Sequence, residues 1–211
     1  APDRSAKTLG FSFGEVEPTG NEVLNVRGLS KSFGSKHLFS GVEFQIRRSD
    51  RAFLLGPNGC GKTTLLRDIV RIAADGSDID RGMTVGIVDE RSEIGACHLG
   101  CPQNNIGCRT DVLDGCPKSQ GMMMMVRSMA PEIVAVDEIG SKDDAAAIEY
   151  VMNCGINVIA TVHGLDMDEV INKPVIGELV RKRRFKRYIV LKRGKMGQIA
   201  AIFDDRGNVI Y

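Results

Sequence analysis

With 211 residues, 43% of them hydrophobic and 26% charged, the chain has the bulk for a sizeable core and the composition of a globular protein, not of a disordered or fibrous one. A formal net charge of +1 excludes a surface built to coat polyanions, so any basic patch has to be local. No apolar run approaches the length that spans a bilayer, and Ala1-Pro2-Asp3-Arg4 does not start a signal-peptide core, so a cytoplasmic protein with its six cysteines reduced is expected.

Residues 1–20 are polar and carry Gly14, Pro18 and Gly20, which reads as a tail or edge segment before a single domain over 21–211. Glu22 to Val26 and Val42 to Ile46 are short β-like runs separated by a turn-rich piece with Gly34 and Gly41. Ala52 to Gly56 is an apolar strand, and a helix follows from Lys62 to about Ala74. Thr84 to Val88 is a second buried strand, ending in Asp89-Glu90-Arg91-Ser92-Glu93.

Gly95 to Gly121, rich in Gly, Cys, Asn and Asp, reads as a long irregular excursion of the kind that usually carries function. A helix from about Ser119 to Met129 precedes the strand Ile133 to Val136. Ser141 is placed to cap a helix with Asp143 and Asp144 in its first turn, stopping near Gly155. Ile156 to Val162 is the next strand, Asn172 before Pro174 is expected to open a helix, and Tyr188–Leu191 and Gln198–Phe203 pair antiparallel. Nearly uniform apolar strands alternating with helices predict a doubly wound α/β domain. Its mostly parallel sheet is covered on both faces, in three layers, with antiparallel β additions at both ends.

Between the first buried strand and its helix stands Gly56-Pro57-Asn58-Gly59-Cys60-Gly61-Lys62-Thr63-Thr64, which satisfies G-x-x-x-x-G-K-[ST]. The glycines let backbone N–H groups wrap a phosphate, and the helix presents its positive end to the same anion. Lys62 is expected to reach the β- and γ-phosphates, and Thr63 to ligate Mg²⁺. Ile133-Val134-Ala135-Val136-Asp137-Glu138 fits a Walker B element, with Asp137 holding the metal shell and Glu138 orienting or deprotonating the attacking water. Asp89, Glu90 and Glu93, at another strand tip, are alternatives for that base. His163, in the Ala160–Gly164 stretch at the tip of the Ile156–Val162 strand, could sense the γ-phosphate or simply serve as a structural hydrogen-bonder. Arg109 and Arg127 are candidates to stabilise transition-state charge, in this subunit or a neighbour, with a solvated arginine as the plainer role for Arg127.

These residues carry two likenesses. Val23 to Gly34 and the Gly56 to Leu66 loop resemble the second ATPase cassette of ABC-F proteins. From about Arg67 onward, Gly86–Ile94, Arg109–Lys118, Val136–Gly140 and Ala160–Gly164 resemble the stage III sporulation protein AA ATPase family, a relative of type II and type IV secretion ATPases. The resemblance implies a P-loop NTPase that binds ATP or ADP with Mg²⁺, an acidic box at Asp89–Glu93, a histidine box at His163 and an adenine-stacking role for Phe33. A core aromatic is the alternative for Phe33. It also implies a recombinant or engineered chimera joined at the loop both families possess. The L-S-G-G-Q signature is absent from the sequence, as is the sporulation family's own N-terminal region. Nucleotide binding is therefore expected more firmly than turnover, and a silent scaffold is the competing expectation.

Cys97, His98, Cys101, Cys108 and Cys116 miss the paired spacing of a zinc knuckle. Met122 to Met125 reads as adaptable core packing and Cys60 as a redox liability. Arg181 to Arg187, the densest positive run, reads as a solvated helix end, with nucleic acid or anionic lipid as the less favoured partner. The expected partner is an adenine nucleotide, with a homo-oligomer also open.

Overall fold

The computed structural model describes residues 22–33, 36–47, 51–76, 81–194 and 196–210, with backbone alone for 22–47. The segment 1–20 lies outside the described residues. A seven-stranded sheet is formed by β3 (Ala52–Gly56), β4 (Val85–Asp89), β5 (Thr110–Asp114), β6 (Ile133–Val136), β7 (Asn157–His163), β8 (Arg187–Leu191) and β9 (Ile199–Asp204), in the spatial order β5-β4-β6-β7-β3-β8-β9. Every pairing in it is parallel except that of β8 with β9. The helices are α1 (Lys62–Asp75), α2 (Lys118–Ser128), α3 (Lys142–Asn153), α4 (Met167–Asn172) and α5 (Ile176–Arg181).

Successive strand side chains point to opposite faces, and the two cores divide accordingly. Ala52 and Leu54 of β3 join Leu65, Leu66, Ile69 and Val70 of α1 on one face. Phe53 and Leu55 join Met122 and Met125 of α2, Ile148 and Val151 of α3, and Val170, Leu179 and Phe185 on the other. Phe53 stacks on Phe185 with ring centroids 3.4 Å apart. The alternation accounts for the three layers: a strand buried on both sides must present apolar groups to both. On the second face α2 lies close against β4, since a Cβ on Gly121 would come within 2.4 Å of Val88. Met122 and Met125 are buried there, and Met124 is exposed.

Several elements depart from expectation. The short runs near residues 22 and 42 are twelve-residue strands, β1 (Glu22–Phe33) and β2 (Lys36–Arg47), paired antiparallel in a sheet of their own. Gly41 lies inside β2 at φ 63, beside a register shift that a positive-φ residue accommodates. The stretch from Gly95 to Gly121 contains an edge strand, β5, whose Asp111 and Asp114 face solvent, so no uniform apolar run marks it. Asn172 ends α4 instead of opening a helix. Asp166 caps the start of α4 by accepting the Glu169 N–H at 2.8 Å, and α5 opens at Ile176. Ser141 caps α3 in a capping box with Asp144, as its sequence predicts. No described helix is long and apolar enough to cross a membrane.

Candidate functional site

Strand β3, with β7 and β8 on either side, ends at Gly56. The chain then turns through Gly59 (φ 75) and Gly61 (φ 96), left-handed conformations that glycine adopts without strain, and enters α1 at Lys62. No side chain caps α1 and no acid stands in its first turn, so its N–H groups and positive end face the cleft uncompensated.

Lys62 is only 7% exposed, and its Nζ donates to Gly56 O at 2.6 Å and Pro57 O at 3.0 Å. Among the described residues no carboxylate pairs with it. A buried ammonium held by neutral carbonyls alone leaves its charge unmatched, which suits an anion.

Asp137 stands at the tip of β6, beside β7, which itself borders β3. Its Oδ2 accepts from Thr63 Oγ1 at 2.7 Å, and its Oδ1 accepts from the hydroxyl of Thr161 on β7. The Thr161 hydroxyl also accepts the Glu138 N–H at 2.7 Å, and Thr161 O accepts the Ile139 N–H at 3.0 Å. These bonds hold the turn after β6, in which Glu138 adopts φ 48. A hydroxyl and a carboxylate oxygen in contact are the hard donors that magnesium takes.

The exit of β4 forms the third wall. Asp89, 2% exposed, accepts the N–H groups of Glu93, Ile94 and Gly95 at 2.8 to 2.9 Å, so it shapes the turn from within. Arg67 of α1 ties the same turn by donating to Ile94 O at 2.7 Å and Glu93 O at 2.6 Å. Burial pulls its guanidinium below the ordinary arginine value. Glu90 pairs with Lys118 at 2.9 Å, and Arg91 pairs with Glu138 at 2.9 Å.

One open cleft of about 400 Å³ brings together Asn58, Gly59, Gly61, Lys62, Thr63 and Thr64 with Asp137, Glu138, Glu93, Arg91 and Met196. Gly56 and Pro57 serve from below through their carbonyls. Cys60 is buried in the loop, where burial raises its thiol pKa and nearby Lys62 partly offsets the rise. His163 does not line the cleft. It touches the loop through Asn58, donating from Nδ1 to Oδ1 at 3.1 Å in the tautomer that carries its proton there. Glu90 lines a small adjoining recess together with Lys118.

Topology sets Arg109 and Arg127 apart from the cleft of their own chain, which leaves the neighbouring-subunit alternative. Arg109 precedes β5, whose first residue pairs with the first residue of β4, and donates to Gly82 O at 2.7 Å. That is the end of the strands away from the cleft. Arg127 lies in the last turn of α2, a helix that starts just after the tip of β5 and runs back toward that same far end. Neither reaches the cleft of its own chain. The side chain of Phe33 lies outside the described residues.

The positions at or beside the cleft that sequence reasoning passed over are Arg91, Thr161 and Met196. Arg91 had a signal, an arginine within an acidic strand tip; Thr161 and Met196 gain meaning only from the strand order. Most of the basic run is partnered within the chain. Arg181 donates to Ile171 O, Lys182 pairs with Glu178 and Glu149, Arg184 with Glu149, and Lys186 with Asp205. The cysteines are free, and no group of three or more possible metal ligands gathers among the described residues.

Comparison with known proteins agrees with this architecture. The chain is 44% identical to the stage III sporulation protein AA of Bacillus subtilis (strain 168) over 158 residues, 74% of this chain and 52% of that protein. A shorter match, 39% over 71 residues, covers 33% of this chain and 13% of the B. subtilis ribosome protection protein VmlR. The chain is similar in fold to the Legionella pneumophila ATPase DotB, with TM-score 0.53 and 18% identity over 69% of this chain and 41% of that one. It is likewise similar to cbiO1 of Clostridium perfringens, part of an ABC transporter complex, with TM-score 0.53 and 18% identity over 89% and 90% of the two chains. The chain spans about half the length of the sporulation protein it matches. The family described as sporulation stage III, protein AA matches residues 33–210, and this P-loop ATPase-like chain belongs to that family.

Proposed function

We propose that residues 21–211 form one domain that binds a magnesium-chelated adenine nucleotide in the cleft between the Gly56–Thr64 loop and Asp137, and hydrolyses it slowly. The observation that carries this reading is Lys62, a buried ammonium with only carbonyl partners, set beside an uncapped helix end and the Thr63–Asp137 oxygen pair. The loop N–H groups and Lys62 grip the phosphates, while Thr63 and Asp137 hold the metal. Magnesium, when bound, neutralises charge on the phosphate oxygens.

Glu138 and Glu93 both line the cleft, and either can orient the attacking water and take its proton; Glu90, turned to Lys118, is the weaker alternative. Arg91 supplies the cation expected of Arg109 or Arg127, whose participation would require a second subunit. A spliced origin at residue 67 is supported by a short match to an ABC transporter F family member of Arabidopsis thaliana, yet one family match crosses that position, and a single lineage is the simpler proposal.

Calorimetric titration with ATP and ADP, with and without Mg²⁺, tests the reading. Lys62→Ala is expected to weaken binding roughly 100-fold by removing a charge-assisted contact. Substituting the true base, as Glu138→Gln or Glu93→Gln, should preserve binding and slow turnover roughly 10²–10⁴-fold. Wild-type protein that binds nucleotide without any turnover would leave the silent scaffold standing. Protein indifferent to adenine nucleotides would sink the proposal.

A further inference from the structure

We propose that Met196, on the turn joining β8 to β9, is the platform on which the nucleoside of the bound nucleotide rests, and so a determinant of nucleoside recognition. This deepens the nucleotide reading above and rests on it. Every other described residue lining the cleft is polar, charged or glycine, and Met196 supplies the apolar surface. Phosphates call for N–H groups and cations, whereas a base calls for a polarisable apolar contact, which a thioether provides.

Strand order sets the direction. Asp137 and Glu138 follow β6, and Arg91 and Glu93 follow β4, so the charged wall lies on the β7 flank of β3. The β8–β9 turn lies on the opposite flank. A nucleotide with its terminal phosphate toward the charged wall and its phosphates in the loop therefore extends its nucleoside toward Met196.

The turn is fastened to the loop by backbone. Gly197 N–H donates to Cys60 O at 2.6 Å, and Lys192 N–H donates to Gln198 O at 2.7 Å, closing the turn. A Cβ at Gly61 would stand 3.1 Å from Gly197 N and 3.4 Å from Met196 Cγ. The backbone that carries Met196 is thus tied to the phosphate loop before any ligand arrives, a preorganisation that lowers the cost of ordering.

The test compares two magnesium-bound ligands that share a phosphate chain, ATP and inorganic tripolyphosphate, on the full chain and on Met196→Ala. The expected result is ATP affinity reduced about 3- to 10-fold, the range of a thioether–aromatic contact, with tripolyphosphate affinity unchanged. Equal weakening of both ligands would mean that Met196 acts only by supporting the loop, and would overturn the assignment. Unchanged ATP affinity, with tripolyphosphate still bound, would place the nucleoside elsewhere and overturn this proposal alone. Failure of the wild-type chain to bind either ligand would overturn the nucleotide reading and this one together.

Discussion

Replacing Thr161 by valine removes one hydroxyl and almost no volume. Thr161 is fully buried on β7; its hydroxyl donates to Asp137 and accepts the Glu138 N–H at 2.7 Å. In Thr161→Val the Glu138 N–H loses its partner, at a cost of about 1–3 kcal/mol, and Asp137 loses one of two hydroxyl donors. Asp137 is half-buried and regains part of that from water, so a net loss of about 2–3 kcal/mol is expected, or a fall in Tm of roughly 4–12 °C for a domain of this size. Thr161→Ser keeps both bonds and gives up one buried methyl, about 1 kcal/mol. The predicted order in urea unfolding is therefore wild type, then serine, then valine. Magnesium-dependent ATP affinity should fall in valine and hold in serine. If packing governed this position and the hydrogen bonds did not, valine would be the more stable of the two, and that order would refute the reasoning.

Asp89→Asn should destabilise the chain by about 2–4 kcal/mol in urea unfolding, because one amide oxygen cannot serve three converging N–H groups and at least one is left unpaired; a loss below about 1 kcal/mol would mean that the turn rearranges freely. Cys60 gives a pH dependence: its folded thiol pKa lies above the ordinary value, so the folded state favours the protonated form. The stability this contributes is present below the unfolded thiol's pKa and lost as pH rises through the higher folded value. Wild type should thus lose stability relative to Cys60→Ala as pH rises past the ordinary thiol value of about 8.5, and parallel curves would contradict the assignment.

The central strands and their helices were legible because burial on both faces leaves uniform apolar runs, as at Ala52–Leu55 and Ile133–Val136, and because caps such as Ser141 act locally. The phosphate loop and Asp137 were legible for the same reason, being tied to the ends of those strands. What escaped depends on neighbours distant in sequence. Strand β5 is half-solvated at an edge, α4 is too short for periodicity, and Arg109 could be judged only once the register of β5 against β4 showed which end of the sheet it occupies. Thr161 is one threonine among several until β7 sets it beside Asp137.

The two hydrogen bonds from Arg67 to the carbonyls of Glu93 and Ile94 act as a strut between α1 and the turn after β4. A tilt of α1, whose first turn is itself part of the phosphate loop, drags Arg91 and Glu93 along with it. The helix that carries the anion grip and the acidic turn are therefore coupled through one arginine, so a shift of either is felt by the other.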